Sequence, residues 1–389
     1  MTNPTRPFQV EWSAAEVARV LARVADTRLP PAPPGSGWAY GCDADFLHRV
    51  QRYWSQQYDW RAAVAQLNRH PQFIATIDGQ DVHYLHIRGE GAQARPLLLT
   101  HGWPGSQVEF WDVIEPLCFP SRFGGRAEDA FDLVLPSLPG YGFSGAPAQP
   151  LGQRATAKLW NTLMTEVLGY PRYLAQGGDW GAIVTSWLGL DHGEHVQAIH
   201  LNLLAFRHAE PPRDAAEGQW VQKALAAQQS LGAYSALQRV RPQSLAWAAA
   251  DNPLGQAAWM LERFHDWADL RTRAFEDVFA LDRLVTNAML YVMTGRFATA
   301  LWYYAAMVPE GMLVLPAGTR CETPTAYTDY HDPLVPAPPR ERAERAYRIE
   351  RWVQAPAGGH FAAMENPAFF VDDLRDWART LPSTSRRSP

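Results

Sequence analysis

The chain has 389 residues, 47% of them hydrophobic, with 40 acidic against 35 basic side chains and a formal net charge of −5. That suffices for one large core with a substantial insertion, or for two domains, and the near balance of charge speaks against a nucleic-acid or anionic-membrane binder. No stretch approaches the roughly 18 apolar residues of a membrane span, and three widely spaced cysteines, Cys42, Cys118 and Cys321, make neither a disulfide framework nor a cysteine zinc site, which fits a reducing cytoplasm.

The start, MTNPTRPFQVEW, lacks the apolar run of a signal peptide. SAAEVARVLARVADTRL has helical spacing with Ser13 as its N-cap. The link LPPAPPGSGW follows, and residues 44–67 read as two more helices. FIATIDGQDVHYLHIRG reads as a hairpin around the turn dipeptide Asp78-Gly79. From residue 95 the rhythm changes to short apolar strands, each ending in a loop: PLLLT then HGWPGS, FDLVLPSLPGYGFSG, YLAQGGDWG running into helical AIVTSWLGL, and AIHLNLLAF. Strands alternating with helices predict a mainly parallel sheet covered on both faces.

Residues 206–310 are helical in pattern and rich in Trp and Tyr, after which TPTAYTDYHDP and RIERWVQAPAGGHF resume the strand-and-loop pattern. The expected organisation is an arm with a first hairpin over 1–90, an α/β core over 91–205 and 311–389, and a helical lid over 206–310. The tail PSTSRRSP is expected to fray. Sixteen Trp residues suit a large aromatic core, an apolar aromatic-lined pocket, or both. Lys occurs only at 158 and 223 among many Arg and Ala residues, a coding bias expected of a GC-rich bacterial genome.

Gly177-Gly178-Asp179-Trp180-Gly181 fits the strand-to-helix elbow G-x-Nu-x-G, with Asp179 where a nucleophile stands. Small neighbours let so sharp a turn close, and the N–H groups at the following helix start stabilise negative charge. The bland alternative is an Asp that caps a helix. HGWPG, after an upstream apolar strand, stands where such enzymes supply a second oxyanion N–H. Here Trp103 would give that N–H beside the one from Trp180, and Trp103 and Pro104 would shape the pocket floor. His360, in GGHFAAMENP, comes last in chain order, as the base does. An acid is needed to orient it: Asp332 in YTDYHDP is favoured, with Asp329 and Glu322 as competitors.

A carboxylate nucleophile attacks sp3 carbon and leaves an ester that His-activated water hydrolyses. Epoxides and alkyl halides are the matching substrates. An epoxide oxygen needs a proton donor, for which neutral Tyr is suited; a halide needs weak donors such as indole N–H.

RPFQV, TRLP, YWSQQYDWRAAVAQLN and IDGQDVHYLHIRG, followed by HGWPGS, PSLPGYGFSG, QGGDWG and GGHFAAMENP, together resemble the microsomal-type epoxide hydrolases of the α/β-hydrolase fold over nearly the whole chain. With no membrane anchor read at its start, the chain is expected to be similar to the soluble bacterial members, some of which serve natural-product pathways. The resemblance implies two lid tyrosines, Tyr234 in GAYSALQ and Tyr304 at the end of TGRFATALWYYAA. Tyr303 competes for the second place, and Trp302 and Tyr303 would join the substrate-binding wall. Val64, the residues after Tyr304 and the segment before Asp332 depart from the family's common form.

The expected reaction converts a bulky apolar epoxide and water to a vicinal diol, with no cofactor and no metal. The rivals are a cyclase or coupling enzyme that opens an epoxide with another nucleophile, a haloalkane dehalogenase, and a non-catalytic binding protein on the same fold. His192 and His195 in DHGEH lack a matching carboxylate–His set for a metal. His83 and His86 are expected to be structural, and Gly124-Gly125 lacks a P-loop's Lys. The arm is expected to wrap its own core or to reach a neighbour in a homodimer.

Overall fold

The computed structural model describes residues 3–382, so residues 383–389 of the tail expected to fray lie outside the described residues. The arm holds β1 (Thr5–Phe8), α1 (Ala14–Asp26), α2 (Ala44–Gln56) and α3 (Trp60–Leu67), and the hairpin strands β2 (Gln72–Ile77) and β3 (Gln80–Ile87) follow. The core continues with β4 (Arg95–Thr100), α4 (Trp111–Cys118), β5 (Phe131–Pro136), α5 (Gln153–Thr162), β6 (Tyr173–Gly177), α6 (Asp179–Asp191) and β7 (Val196–Leu201). Beyond β8 (Arg207–His208) come α7 (Ala215–Leu231), α8 (Ala233–Val240), α9 (Pro242–Ala249), α10 (Pro253–Trp267), α11 (Phe275–Val278), α12 (Leu281–Thr294) and α13 (Phe297–Ala306). The chain returns through β9 (Val314–Leu315), β10 (Cys321–Asp329), α14 (Arg340–Ala343), β11 (Tyr347–Gln354), α15 (Ala362–Glu365) and α16 (Pro367–Thr380).

Nine strands form one sheet in the order β1-β2-β3-β5-β4-β6-β7-β10-β11. The strands from β5 to β11 run parallel; β1, β2 and β3 join them antiparallel. The hairpin turn places Asp78 at φ 50° and Gly79 at φ 81°, the left-handed pair that such a tight turn requires. β1 carries too few residues, one of them Pro7, for a period to show in the sequence.

Side chains alternate across the sheet. Leu97, Leu99, Leu133 and Leu135 pack with Ile114 of α4 and Leu374 of α16 on one face, and Leu98, Val134 and Ala175 pack with Trp160 and Ile183 on the other. Both faces are covered, so the central strands read as apolar runs rather than alternations. Truncating Leu98 to Ala would cost about 2–5 kcal/mol.

Arm, core and lid share the second of these clusters: Val17, Trp54, Met260 and Met289 belong to it. The lid leaves and re-enters the core beside the two-residue parallel pair β8–β9. Its first helix is clamped through Glu217, which takes ion pairs of 2.7 Å from both Arg342 and Arg345.

Candidate active site

β6 ends at Gly177 and α6 begins at Asp179, whose φ of 48° puts a non-glycine residue in the left-handed region. Strain of this kind persists only where the surroundings over-determine it. A Cβ on Gly177 would run into the backbone of Gly181, and one on Gly181 into the Thr100 carbonyl. The two glycines are therefore fixed by how closely the elbow approaches itself and β4. A Cβ on Gly102 would likewise meet the Asp179 side chain.

The two Asp179 oxygens have different surroundings. Oδ1 accepts the Trp103 N–H at 2.8 Å, and Oδ2 lies 3.3 Å from His360 Nε2. The Trp180 N–H belongs to the first turn of α6, where backbone donors have no intrahelical partner. His360 Nδ1 is 2.7 Å from Asp332 Oδ2. The other Asp332 oxygen accepts the N–H groups of Leu334 at 2.8 Å and Val335 at 3.3 Å. Burial alone would lower the His360 pKa, but the Asp332 and Asp179 carboxylates on its two nitrogens raise it well above the ordinary histidine value. The loop holding His360 is anchored by the His360 N–H on the Trp267 carbonyl and by buried Glu365, which accepts the N–H groups of Phe361 and Asp269.

The competitors for the acid are placed elsewhere. Glu322 is exposed at the start of β10, paired with Arg320 at the opposite end of the strand from the site. Asp329 closes the turn after β10 by accepting the His331 N–H. Asp332 alone of the three reaches the imidazole.

Tyr234 of α8 stacks on Trp103 at 5.4 Å, and Tyr304 of α13 meets Trp180 edge-on at 4.4 Å and Trp103 at 5.7 Å. The two phenol rings are 5.8 Å apart. Tyr304 Oη is buried without a hydrogen bond of regular geometry. Burial first, then Tyr234 and the Asp179 charge, keep the Tyr304 hydroxyl far above its ordinary pKa; burial followed by Asp179 does the same for Tyr234. Both remain O–H donors at neutral pH.

Tyr303 instead donates its hydroxyl to Thr156 of α5, although its ring edge touches Trp180. Trp302 turns its indole N–H to Gln243 of the lid. Helix positions two apart do not share a face, so Trp302 does not stand with Tyr304 in the wall where the run Trp302-Tyr303-Tyr304 suggested it. Pro104 offers its carbonyl to Asn287.

Several residues of the site carry no motif. α12 braces the loop after β4 with Arg283 on the Val108 carbonyl, Asn287 on Pro104 and Tyr291 on Gly105. Their spacing of four puts them on one helix stripe, a pattern visible only once its partner is known. Glu109 is the other unforeseen group: burial, then the Asp179 charge, push its carboxyl up to about 8. Among the described residues no group of three or more His, Cys, Asp or Glu could hold a metal ion, and no helix is long and apolar enough to cross a membrane.

Residues 5–110 match the family model described as epoxide hydrolase N terminus, and residues 95–367 the one described as alpha/beta hydrolase fold. A Stigmatella aurantiaca protein named for an inferred epoxide hydrolase activity is 37% identical over 96% of this chain and 85% of its own length. Epoxide hydrolase 1 of Sus scrofa is 30% identical over 97% and 89%. The solved structure of Aspergillus niger epoxide hydrolase superposes with a TM-score of 0.83 at 28% identity, covering 97% of each chain. That of juvenile hormone epoxide hydrolase from Bombyx mori gives 0.85 at 26% identity, covering 97% and 95%.

Proposed function

Because the chain belongs to the epoxide hydrolases of the α/β-hydrolase fold, we propose that it opens a bulky apolar epoxide through an ester to Asp179 and releases a vicinal diol. The observation that carries the reading is the division of labour at Asp179: one oxygen is tied to the Trp103 N–H, the other lies 3.3 Å from His360 Nε2, and its charge acts on two buried, neutral tyrosines, Tyr234 and Tyr304. Oδ2 attacks a ring carbon, the C–O bond breaks, and the departing oxygen takes a proton from Tyr304 or Tyr234.

The ester has lost the Asp179 charge, one of the causes that hold the proton on His360. The imidazolium then gives up its proton as the tyrosinate is restored, and neutral His360 takes one from water. Hydroxide adds to the ester carbon. The oxyanion on Oδ1 is held by the N–H groups of Trp103 and Trp180 until the adduct expels the diol's oxygen, which takes its proton from the His360 imidazolium; the Asp179 carboxyl then gives its own proton to His360, and the carboxylate–imidazolium pair returns. Asp332 orients the imidazole and stabilises its charged form. The wall formed by Trp103, Trp180, Trp267, Tyr234 and Tyr304 suits an apolar substrate with its oxygen at the phenols.

The test is turnover of a panel of aryl and aliphatic epoxides in oxygen-18 water, with the peptide containing Asp179 weighed afterwards. Diol together with heavy oxygen in Asp179 is expected. Diol without label in Asp179 would mean direct attack by water, and full diol formation by Asp179→Ala would refute the nucleophile.

A further inference from the structure

α10 carries Trp259, Arg263 and Trp267 at a spacing of four, one stripe of the helix. The stripe meets Tyr234 and Gln238 of α8, also four apart. The Trp259 indole N–H donates to Gln238 Oε1 at 2.7 Å, and the Trp267 ring lies 5.0 Å from that of Tyr234. Between these contacts the Arg263 guanidinium stands over the Tyr234 ring, 5.2 Å from its centroid, and 5.5 Å from that of Trp259. Arg263 is 5% exposed, and a charge is seldom taken so far from water without partners. Glu262 and Asp266 of the same helix pair with its Nη2, the first in close contact and the second at 3.8 Å, while Nε is buried without a hydrogen bond. The two carboxylates explain how the charge is tolerated. They do not explain why it stands over a lid phenol.

We propose that Arg263 is a positioning residue for epoxide opening: its charge over the ring makes Tyr234, rather than Tyr304, the phenol that gives its proton to the epoxide oxygen. The inference rests on Asp179 being the nucleophile. As the bond from Asp179 Oδ2 to carbon forms and the carbon–oxygen bond breaks, the departing oxygen takes the Tyr234 proton. The negative charge that began on Asp179 ends on the phenolate, which recovers its proton from the His360 imidazolium before hydrolysis. A cation beside the ring holds a phenolate more strongly than a phenol, so the contact strengthens during the step. In the free enzyme burial, then the Asp179 and Asp332 carboxylates, act against a Tyr234 phenolate, and the Tyr304 hydroxyl and Arg263 favour it. Ester formation removes the Asp179 charge and leaves Arg263 in place. At Tyr304, burial, Tyr234, Asp179 and Tyr141 all act against ionisation. Tyr304 therefore remains an O–H donor throughout, first to the epoxide oxygen and then to the phenolate.

The experiment follows both half-reactions by rapid quench with an aryl epoxide that the enzyme turns over, weighing the Asp179 peptide for ester. Arg263→Gln should slow ester formation by about 30-fold, the order of a desolvated contact between a cation and a ring, and leave hydrolysis within about threefold. Arg263→Lys keeps the charge and should bring ester formation back to within about fivefold of wild type. In the Tyr234→Phe background Arg263→Gln should cost less than about twofold more, and in the Tyr304→Phe background its full factor, because only groups that act through one another fail to add. If Arg263→Gln does not fold with Glu262 left unpaired, the double variant Glu262→Gln/Arg263→Gln removes both charges and should show the same slowing. Unchanged ester formation in a folded neutral variant, equal slowing of both steps, Arg263→Lys no faster than Arg263→Gln, or the full effect in the Tyr234→Phe background would overturn the role of Arg263 while the ester on Asp179 still forms. Failure to trap any ester on Asp179, even in His360→Gln, would remove the nucleophile reading and this inference with it.

Discussion

Replacing Asp332 by Asn should disable the proposed base by fixing it in the wrong tautomer. Asp332 Oδ1 accepts two backbone N–H groups, from Leu334 at 2.8 Å and Val335 at 3.3 Å, while Oδ2 takes the His360 Nδ1 proton at 2.7 Å. An amide can satisfy Leu334 and Val335 only by turning its oxygen to them. Its NH2 then faces Nδ1, the imidazole proton moves to Nε2, and the nitrogen beside Asp179 can no longer accept. Flipping the amide restores the tautomer but leaves both backbone donors facing an NH2 group. At about 1–3 kcal/mol for each unsatisfied donor, and with the Val335 bond already long, the flip costs roughly 3–4 kcal/mol. Only about one imidazole in 150 to one in a thousand is then competent as base. Hydrolysis of the ester should fall by that factor or more, because the imidazolium also loses its counter-charge, while formation of the ester stays within about tenfold. Rapid quench, weighing of the Asp179 peptide and diol analysis read both steps. A folded Asp332→Asn protein that hydrolyses its ester within tenfold of the wild-type rate would refute the reasoning.

The lid tyrosines should act on the other half-reaction. Tyr304→Phe and Tyr234→Phe should each slow ester formation, by up to about 100-fold for the better placed of the two, whereas Tyr303→Phe should spare the rate and lose only the stability of the Thr156 hydrogen bond, about 1 kcal/mol by denaturant melt. The His360 pKa is raised in the folded protein by Asp332 and Asp179 against the effect of burial. Its contribution to stability is therefore complete below its unfolded pKa of about 6.5 and is lost as pH rises through the higher folded value. Asp179→Asn should move that loss to lower pH, which imidazole NMR titration would show directly. Glu217→Ala should leave Arg342 and Arg345 without their shared buried carboxylate and cost about 3–5 kcal/mol. Urea melts, with limited proteolysis of residues 209–214, would report the loosened lid; an unchanged melt would count against the clamp.

The elbow and the loop after β4 were legible in the sequence because their glycines answer to backbone closeness. Gly177, Gly181 and Gly102 stand where any Cβ would strike a neighbouring chain or Asp179 itself. Such constraints act over a few residues and leave a local pattern. The choice of Asp332 over Asp329 and Glu322 depended on where β10 stops and which way the turn at His331, φ 59°, sends the chain. No spacing rule reports that. The choice between Tyr303 and Tyr304 was a matter of helix phase set by packing on Trp180 and Thr156, and Trp302 fell on the wrong side of the same helix. Glu109 was hidden for a different reason. A carboxylate one residue from Phe110 reads as a surface position on a short turn, and only the tertiary fold seals it against Gly105.

The bracing of the loop after β4 ties lid and core chemistry together. The backbone of that loop supplies the Trp103 N–H on Asp179, yet its carbonyls at Pro104, Gly105 and Val108 are held by Asn287, Tyr291 and Arg283 of α12, a lid helix. α13, which carries Tyr304, is fixed to the core by Tyr141 on the Ala300 carbonyl and Thr299 on the Gly140 carbonyl. In the proposed reaction, the donors for the two developing charges, on the epoxide oxygen and on the ester oxygen, would thus hang from the same pair of lid–core seams. A donor holds a developing charge well only if it is already in place when the charge appears. A lid free to swing on its own would keep the phenols and lose their register with the Trp103 N–H. If the proposed roles hold, the polar stripe of α12 does more than close a cavity: by holding the loop after β4, it would fix the Trp103 N–H relative to the lid that carries the two phenols.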